Sequence, residues 1–213
     1  MRIQLPKIYP ITDTRISSLT HTQQVKRLID GGATFIQLRD KTSSARAFYT
    51  DALTAVRIAR AAGAKVIIND RVDVALALEA DGVHLGQTDL PVSMARQLLG
   101  ADAIIGYSTH NLDQVRMALG LQIDYLAFGP IFPTRSKQNP DPIVGLENID
   151  AVKSLAGSTP LVAIGGIDRS TASAVIAAGA DSTAIISDIL STPEKIATNL
   201  RDLLLLVDNK QQR

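Results

Sequence analysis

A short unit recurs along this chain, in which a helix-like stretch closes on Gly-Ala and a β-rich run follows at once. Gly32-Ala33 precedes Thr34-Phe35-Ile36-Gln37-Leu38, and Gly63-Ala64 precedes Lys65-Val66-Ile67-Ile68. Gly100-Ala101 precedes Ala103-Ile104-Ile105-Gly106, and Gly179-Ala180 precedes Thr183-Ala184-Ile185-Ile186. Glycine accepts the left-handed conformation that ends a helix, so each unit reads as a helix stop followed by a strand. Strands that alternate with helices imply a parallel sheet, because a parallel partner is reached only through a crossover.

Weaker instances complete the pattern. They put strands near 8–11, 33–38, 65–68, 82–85, 103–107, 125–128, 161–164 and 183–186. Most are continuously apolar, as expected of strands covered on both sides. Helical patterns fill the gaps, for example over 44–62 and 170–178. Pro193-Glu194-Lys195 reads as the first turn of a last helix that ends in the apolar run 203–207, and the tail 209–213 is expected to fray. A doubly wound open sheet is the rival architecture. About eight units in 213 residues favour a closed TIM-type (β/α)8 barrel, with residues 1–213 as one α/β domain.

Composition narrows the partners. Hydrophobic residues make up 46% of the chain, enough for a core, and 22 Lys and Arg stand against 21 acids. The net charge of +1 gives no support for a nucleic-acid or membrane-surface role, although local cations can still serve an anionic ligand. There is no cysteine, which excludes disulfides, thiolate nucleophiles and Cys-based metal sites. The start lacks the apolar run of a signal peptide, and no stretch approaches the roughly 18 apolar residues of a membrane span. A cytoplasmic protein is expected, and assembly into a homo-oligomer is left open.

In such a barrel the chemistry lies at the carboxyl ends of the strands, and here those ends are polar. They read Thr12-Asp13, then Gln37-Leu38-Arg39-Asp40-Lys41, Asn69-Asp70-Arg71, His84-Leu85-Gly86-Gln87-Thr88-Asp89 and Ser108-Thr109-His110. Gly129-Pro130 leads into a loop with Thr134, Ser136 and Lys137, and the last two ends are Gly165-Gly166 and Ser187-Asp188. Thr12, Asp13 and Thr109 suit helix caps or turns. Among the histidines, His21 is expected at the surface, His84 in a structural or supporting role, and His110 as a cap or at the rim, with a catalytic role open.

The remaining groups suggest a ligand. Loops after the seventh and eighth strands commonly hold a phosphate against backbone N–H groups, which suits Gly165-Gly166-Ile167 and Ile186-Ser187. Asp70 and Asp89 end neighbouring strands, and two carboxylates suit Mg²⁺, although Asp89 could instead cap a helix starting near Pro91. Gln37, Arg39 and Lys41 occupy alternate positions and so point one way on an extended segment. With Lys137 and a metal, these cations could neutralise a diphosphate and make it a better leaving group.

These motifs together resemble the thiamine phosphate synthase family over nearly the whole chain. The matching residues are Tyr9-Pro10-Ile11-Thr12-Asp13, the 37–41 segment, Ile68-Asn69-Asp70-Arg71 and the 81–90 run from Asp81 to Leu90. They continue with Gly129-Pro130-Ile131-Phe132-Pro133-Thr134 and Ala163-Ile164-Gly165-Gly166-Ile167. The resemblance implies a transferase that joins hydroxymethylpyrimidine diphosphate to a thiazole phosphate, whether carboxylated or not. Diphosphate would leave first, and the thiazole nitrogen would attack the resulting pyrimidine cation. It also implies site roles. Gln37, Arg39, Lys41 and Asn69 would hold the pyrimidine diphosphate, with Leu38 and Asp40 counted in the same segment. Asp70 and Asp89 would ligate Mg²⁺, and Ser108 and Lys137 would contact the departing diphosphate. Thr134 and Ser136 would line the thiazole side, with Gly166, Ile186 and Ser187 receiving its phosphate.

Three positions depart from the family pattern, which often reads Thr-x-Thr-Lys; Ser136 replaces its second threonine but keeps the hydroxyl, so binding is expected to be retained. Arg135 is an extra cation within Thr134-Arg135-Ser136-Lys137, and Asp188 puts a negative charge where a small residue is common, so Asp188 is expected to face away from the phosphate. The rival readings are a thiazole tautomerase of the same superfamily, in which His110 would be the residue to watch, a phosphate-binding protein without turnover, and a sugar-phosphate isomerase. The tautomerase and the isomerase do not need the cations and the acid pair together, and the binding protein, which keeps the pocket, would predict decay of charged groups that are all present here.

Overall fold

The computed structural model describes residues 3–134 and 141–208. Within them eight parallel strands close into a barrel in chain order, β1 to β8. They are Ile8–Thr12, Phe35–Leu38, Lys65–Asn69, Gly82–Leu85, Ile104–Thr109, Tyr125–Phe128, Leu161–Ile164 and Ser182–Ile185. The open-sheet rival falls because β1 pairs with β8, with Tyr9 opposite Ala184.

The helices, α1 to α10 in order, are Thr14–Ser17, His21–Asp30, Ala45–Ala61, Val72–Ala77, Val92–Leu99, Leu112–Ala118, Ile149–Ala156, Ala172–Ala177, Ser187–Leu190 and Ile196–Asp208. Pro193–Lys195 forms a separate 3₁₀ turn, so the last helix begins three residues later than the proline suggests.

The recurring closure has a hydrogen-bond basis. After α3 the Ala64 N–H reaches back to the Ala59 carbonyl at 2.9 Å while Gly63 sits at φ 73°. Ala33 and Ala180 make the same bond, to Leu28 and Val175. Ala80 makes it too, to Ala75, although the residue before it is Glu79 at φ 50°. This fourth instance of the bond is hidden in the sequence because a side chain occupies the left-handed position that glycine normally takes.

Alternation along the strands divides the apolar residues between two cores. Ile36, Leu38, Ile68, Val83, Leu85 and Leu126 face outward and pack under the helices. Tyr9, Ile11, Phe35, Ile67, Ile104, Tyr125, Val162 and Ala184 fill the barrel interior. There Tyr9 meets Phe35 edge-on at 4.8 Å and Tyr125 at 6.0 Å between ring centroids. This aromatic floor lies beneath a cavity lined by residues at the carboxyl ends of the strands.

Several local expectations need correcting. His21 is not a surface residue: it is 1% exposed, packed edge-on against Phe48, and its Nδ1 lies 2.8 Å from the Thr12 hydroxyl. Thr12 and Thr109 are not helix caps. Both hydroxyls are buried, and that of Thr109 donates to the Ala127 carbonyl on the neighbouring strand at 2.9 Å. Asp13 does cap, accepting from the Arg15 N–H at 2.9 Å. Asp89 does not; α5 starts after Pro91 with no side-chain cap.

Candidate active site

Residues at the carboxyl ends of the strands line one cleft of about 1050 Å³. It brings together Gln37, Arg39 and Lys41 from the end of β2, Asn69 and Asp70 from β3, and His84 and Asp89 from β4 and its loop. Ser108, Thr134, Gly166, Ile186 and Ser187 also line it. Arg135, Ser136 and Lys137 lie outside the described residues.

Leu38 and Asp40 do not line the cleft, although both belong to the 37–41 segment. Side chains on an extended segment alternate, so these two face the other way. Leu38 is fully buried in the helix-facing core. The Asp40 carboxylate accepts from the Thr42 and Ser43 N–H groups, each at 2.8 Å, and approaches His21 Nε2 at 3.4 Å. Burial alone would raise its pKa, but those N–H donors and His21 outweigh burial and hold the carboxyl well below its ordinary range. Asp40 therefore shapes the loop from behind.

The cations are held by specific acids. Arg39 Nη1 lies 2.5 Å from Asp13 Oδ2, and its backbone N–H donates to the Thr12 hydroxyl at 3.3 Å. Asp13 is 2% exposed, and its own N–H is taken by Gln24 Oε1 at 3.1 Å. In the sequence it reads only as a cap. The signal for its second role is present there, since Asp13 and Arg39 end adjacent strands with opposite charge. Lys41 Nζ pairs with the Asp70 carboxylate.

Asp70 and Asp89 line the same cleft, close enough for their charges to act on one another. Burial first, and then the neighbouring Asp70 charge, push the Asp89 carboxyl above its ordinary range, although a 2.7 Å hydrogen bond from the Gly86 N–H opposes the shift. Two carboxylates forced this close are relieved by a proton or a cation between them. Asp70 itself sits at φ 61°, a strained backbone conformation of the kind found at functional sites. Among the described residues no group of three or more His, Cys, Asp or Glu converges on one point. Two carboxylates with room for water and phosphate oxygens suit Mg²⁺, a hard cation that rarely takes an all-protein cage.

Asn69 Nδ2 is a buried donor with no hydrogen-bond partner among the described residues. Since a buried donor is normally satisfied, it marks a place where a ligand acceptor belongs.

At the opposite end of the cleft Gly165 and Gly166 run at φ 99° and 66°. A Cβ on Gly166 would stand 2.4 Å from the Pro133 carbonyl oxygen, so the loop after β6 packs directly on bare backbone. Asp188 lies on the cleft wall, but its carboxylate is taken up by Arg169, whose Nε lies 3.2 Å from both oxygens. Asp188 therefore does not face away from the cleft as expected; its charge is compensated instead by Arg169, a cation that no sequence motif singles out.

His84 is buried and structural as expected, with Nδ1 3.0 Å from the Tyr125 hydroxyl and Nε2 2.8 Å from Ser108 Oγ. Burial pushes its pKa down to about 4, from an ordinary value of 6.5. Between those values the unfolded chain binds a proton that the folded barrel refuses. The stability His84 contributes is complete above pH 6.5 and is lost as pH falls toward 4, on the order of 3 kcal/mol. We expect Tm to fall through this window by roughly 6–12 °C, and by less in His84→Gln. Parallel Tm profiles for the two proteins would contradict the assignment. His110 lies at the rim, with Nδ1 2.6 Å from the Gly129 carbonyl oxygen.

A closed eight-stranded parallel barrel with its polar cleft at the carboxyl ends of the strands defines a (β/α)8-barrel enzyme. A family model described as thiamine monophosphate synthase matches residues 8–189, and the chain belongs to that family. It is 43% identical to the thiamine-phosphate synthase of Koribacter versatilis, over 95% of this chain and 97% of that one. It is 45% identical to the thiamine-phosphate synthase of Chlorobium luteolum, over 93% of each. Among solved structures, thiamine phosphate pyrophosphorylase from Pyrococcus furiosus superposes with a TM-score of 0.85 at 34% identity, covering 95% of this chain and 96% of that one.

Proposed function

We propose that this chain is a thiamine-phosphate synthase, a transferase of thiamine biosynthesis that couples a hydroxymethylpyrimidine diphosphate to a thiazole phosphate. The observation that carries the reading is the meeting, in one cleft, of the Asp70–Asp89 pair, the Arg39 and Lys41 cations and the orphaned Asn69 donor. A diphosphate bound with Mg²⁺ would bring the cation to the acid pair, further phosphate oxygens to Arg39 and Lys41, and an acceptor to the Asn69 amide.

In this reading the carbon–oxygen bond to diphosphate breaks first, and diphosphate keeps the electron pair. The thiazole nitrogen then gives its lone pair to the exposed carbon. That nitrogen carries no proton, so the site needs charge neutralisation more than a base. Arg39 and Lys41 bind the diphosphate oxygens, and the Asn69 amide donates to the same ligand. Ser108 donates to the diphosphate as it departs, Thr134 lines the thiazole side, and Gly166, Ile186 and Ser187 offer backbone to the thiazole phosphate. In the family pattern Lys137 and the Ser136 hydroxyl complete the site, with Arg135 an extra cation beside them. Asp70 and Asp89 would hold Mg²⁺, which when bound supplies further neutralisation of the leaving group.

The test is thiamine phosphate formation by the purified protein from both substrates, with Mg²⁺ and then with a chelator. Product that disappears on chelation and returns with added Mg²⁺ is the expected result. Undiminished product in the chelator would remove the metal, and no product from folded protein with either thiazole form would overturn the synthase reading.

A further inference from the structure

We propose that Tyr9, Tyr125 and His84 form a one-way hydrogen-bond relay under the cleft that fixes the Ser108 hydroxyl as a donor toward the ligand. The relay rests on the proposed synthase function for its consequence, because Ser108 is the residue assigned there to the departing diphosphate. Its existence rests on geometry alone.

Gln37 Nε2 donates to the Tyr9 hydroxyl at 3.0 Å. Tyr9 and Tyr125 hydroxyl oxygens are 3.0 Å apart, and Tyr125 is 3.0 Å from His84 Nδ1. His84 Nε2 ends the series 2.8 Å from Ser108 Oγ. The five side chains thus link the end of β2 to the end of β5 across the barrel. Tyr9 and Tyr125 are buried away from the cleft, so no solvent molecule stands in for a missing partner at their hydroxyls, while Gln37 and His84 form its wall.

Counting protons fixes the direction. Tyr9 has one hydroxyl proton and already accepts from the Gln37 amide, so its proton goes to Tyr125. Tyr125 then spends its own proton on His84 Nδ1. A neutral imidazole carries one N–H, and with Nδ1 accepting, that N–H is on Nε2 and points at Ser108 Oγ. The serine has accepted and still holds its proton. Among the described residues no other group takes it, and Ser108 lines the cleft. With the Gln37 amide nitrogen turned to Tyr9, running the series backwards strands the Tyr9 proton in the core; the reverse series requires the amide oxygen there instead. Tyr9, Tyr125 and His84 are therefore positioning residues, acting through Ser108.

The tautomer of His84 reads the relay directly. Nitrogen-15 NMR of the full-length protein should show Nε2 protonated and Nδ1 bare, and in Tyr125→Phe this preference should weaken. A proton on Nδ1 in the wild type would overturn the relay whatever Ser108 does. Kinetics then test the consequence. Tyr125→Phe keeps the ring and should lower kcat about ten-fold, the scale of one oriented hydrogen bond to a charged group, with KM for the thiazole phosphate unchanged. In a Ser108→Ala background the same substitution should cost nothing further. A full additional loss there would mean that the tyrosine acts by supporting the barrel, and the positioning role would fall. Wild-type turnover in Ser108→Ala would instead overturn the role given to that serine, with the tautomer still deciding the relay.

Discussion

Asp70→Asn is expected to lower kcat/KM for thiamine phosphate formation by about 10³-fold while changing Tm by only a few degrees. Loss of one group that stabilises developing charge costs roughly 10² to 10³ in rate, and Asp70 acts in two such roles. It is one of the two carboxylates offered to Mg²⁺, and it is the ion-pair partner of Lys41. Asparagine is the informative replacement. The residue sits at φ 61°, and asparagine tolerates that conformation better than alanine. The amide also keeps the shape and one oxygen while removing the charge. Alanine would add backbone strain of about 1–2 kcal/mol and mix two effects. The check is a Mg²⁺ titration of the initial rate for wild type and variant. Wild-type turnover at ordinary Mg²⁺ would remove Asp70 from the metal site.

How far the sequence carries the site follows from what kind of signal each residue leaves. The barrel is legible because each strand is an apolar run after a helix stop, and both features are local. Gln37, Arg39 and Lys41 are legible for the same reason, since alternation alone puts them on one side. That rule also removes Leu38 and Asp40 from the cleft, and applied strictly it excludes both from the amino-acid order alone.

His21 departs from its expected place because its environment is assembled from afar. A histidine at the start of a helix looks exposed until Thr12, Phe48 and Asp40 are seen to close over it. Asp13 and Arg39 are separated by 26 positions, and Arg169 and Asp188 by 19. Each of these ion pairs joins the ends of adjacent strands, so pairing charges between neighbouring strand ends finds both. The relay is less accessible still. Tyr9 and Tyr125 are 116 positions apart and read simply as core aromatics. Only the closure of the barrel brings their hydroxyls together.

Gly106 shows what that closure costs to disturb. It stands between His84 and Tyr125 in the strand register, and the two rings stack across it at 5.5 Å and 24°. A Cβ at this position would lie 2.0 Å from Tyr125 Cζ and 2.4 Å from its hydroxyl oxygen. The ring has little room to retreat, because Tyr9 and Phe35 pack behind it at 6.0 and 6.3 Å. Gly106→Ala should therefore destabilise the protein by about 3 kcal/mol, the upper range for overpacking, and lower Tm by roughly 6–12 °C. Gly63→Ala makes the matched comparison. Its Cβ would meet nothing within 4 Å, so only the strain of φ 73° remains, about 1 kcal/mol. The two variants should also separate in turnover at a temperature where both are folded. Gly63 is remote from the cleft, and its variant should keep the wild-type rate. Gly106→Ala should lose at least the ten-fold expected of a broken relay, because the tyrosine must shift to admit the methyl group. Equal Tm values for the two variants would mean that Tyr125 moves aside freely, and unchanged turnover in Gly106→Ala would mean that its position does not matter to Ser108.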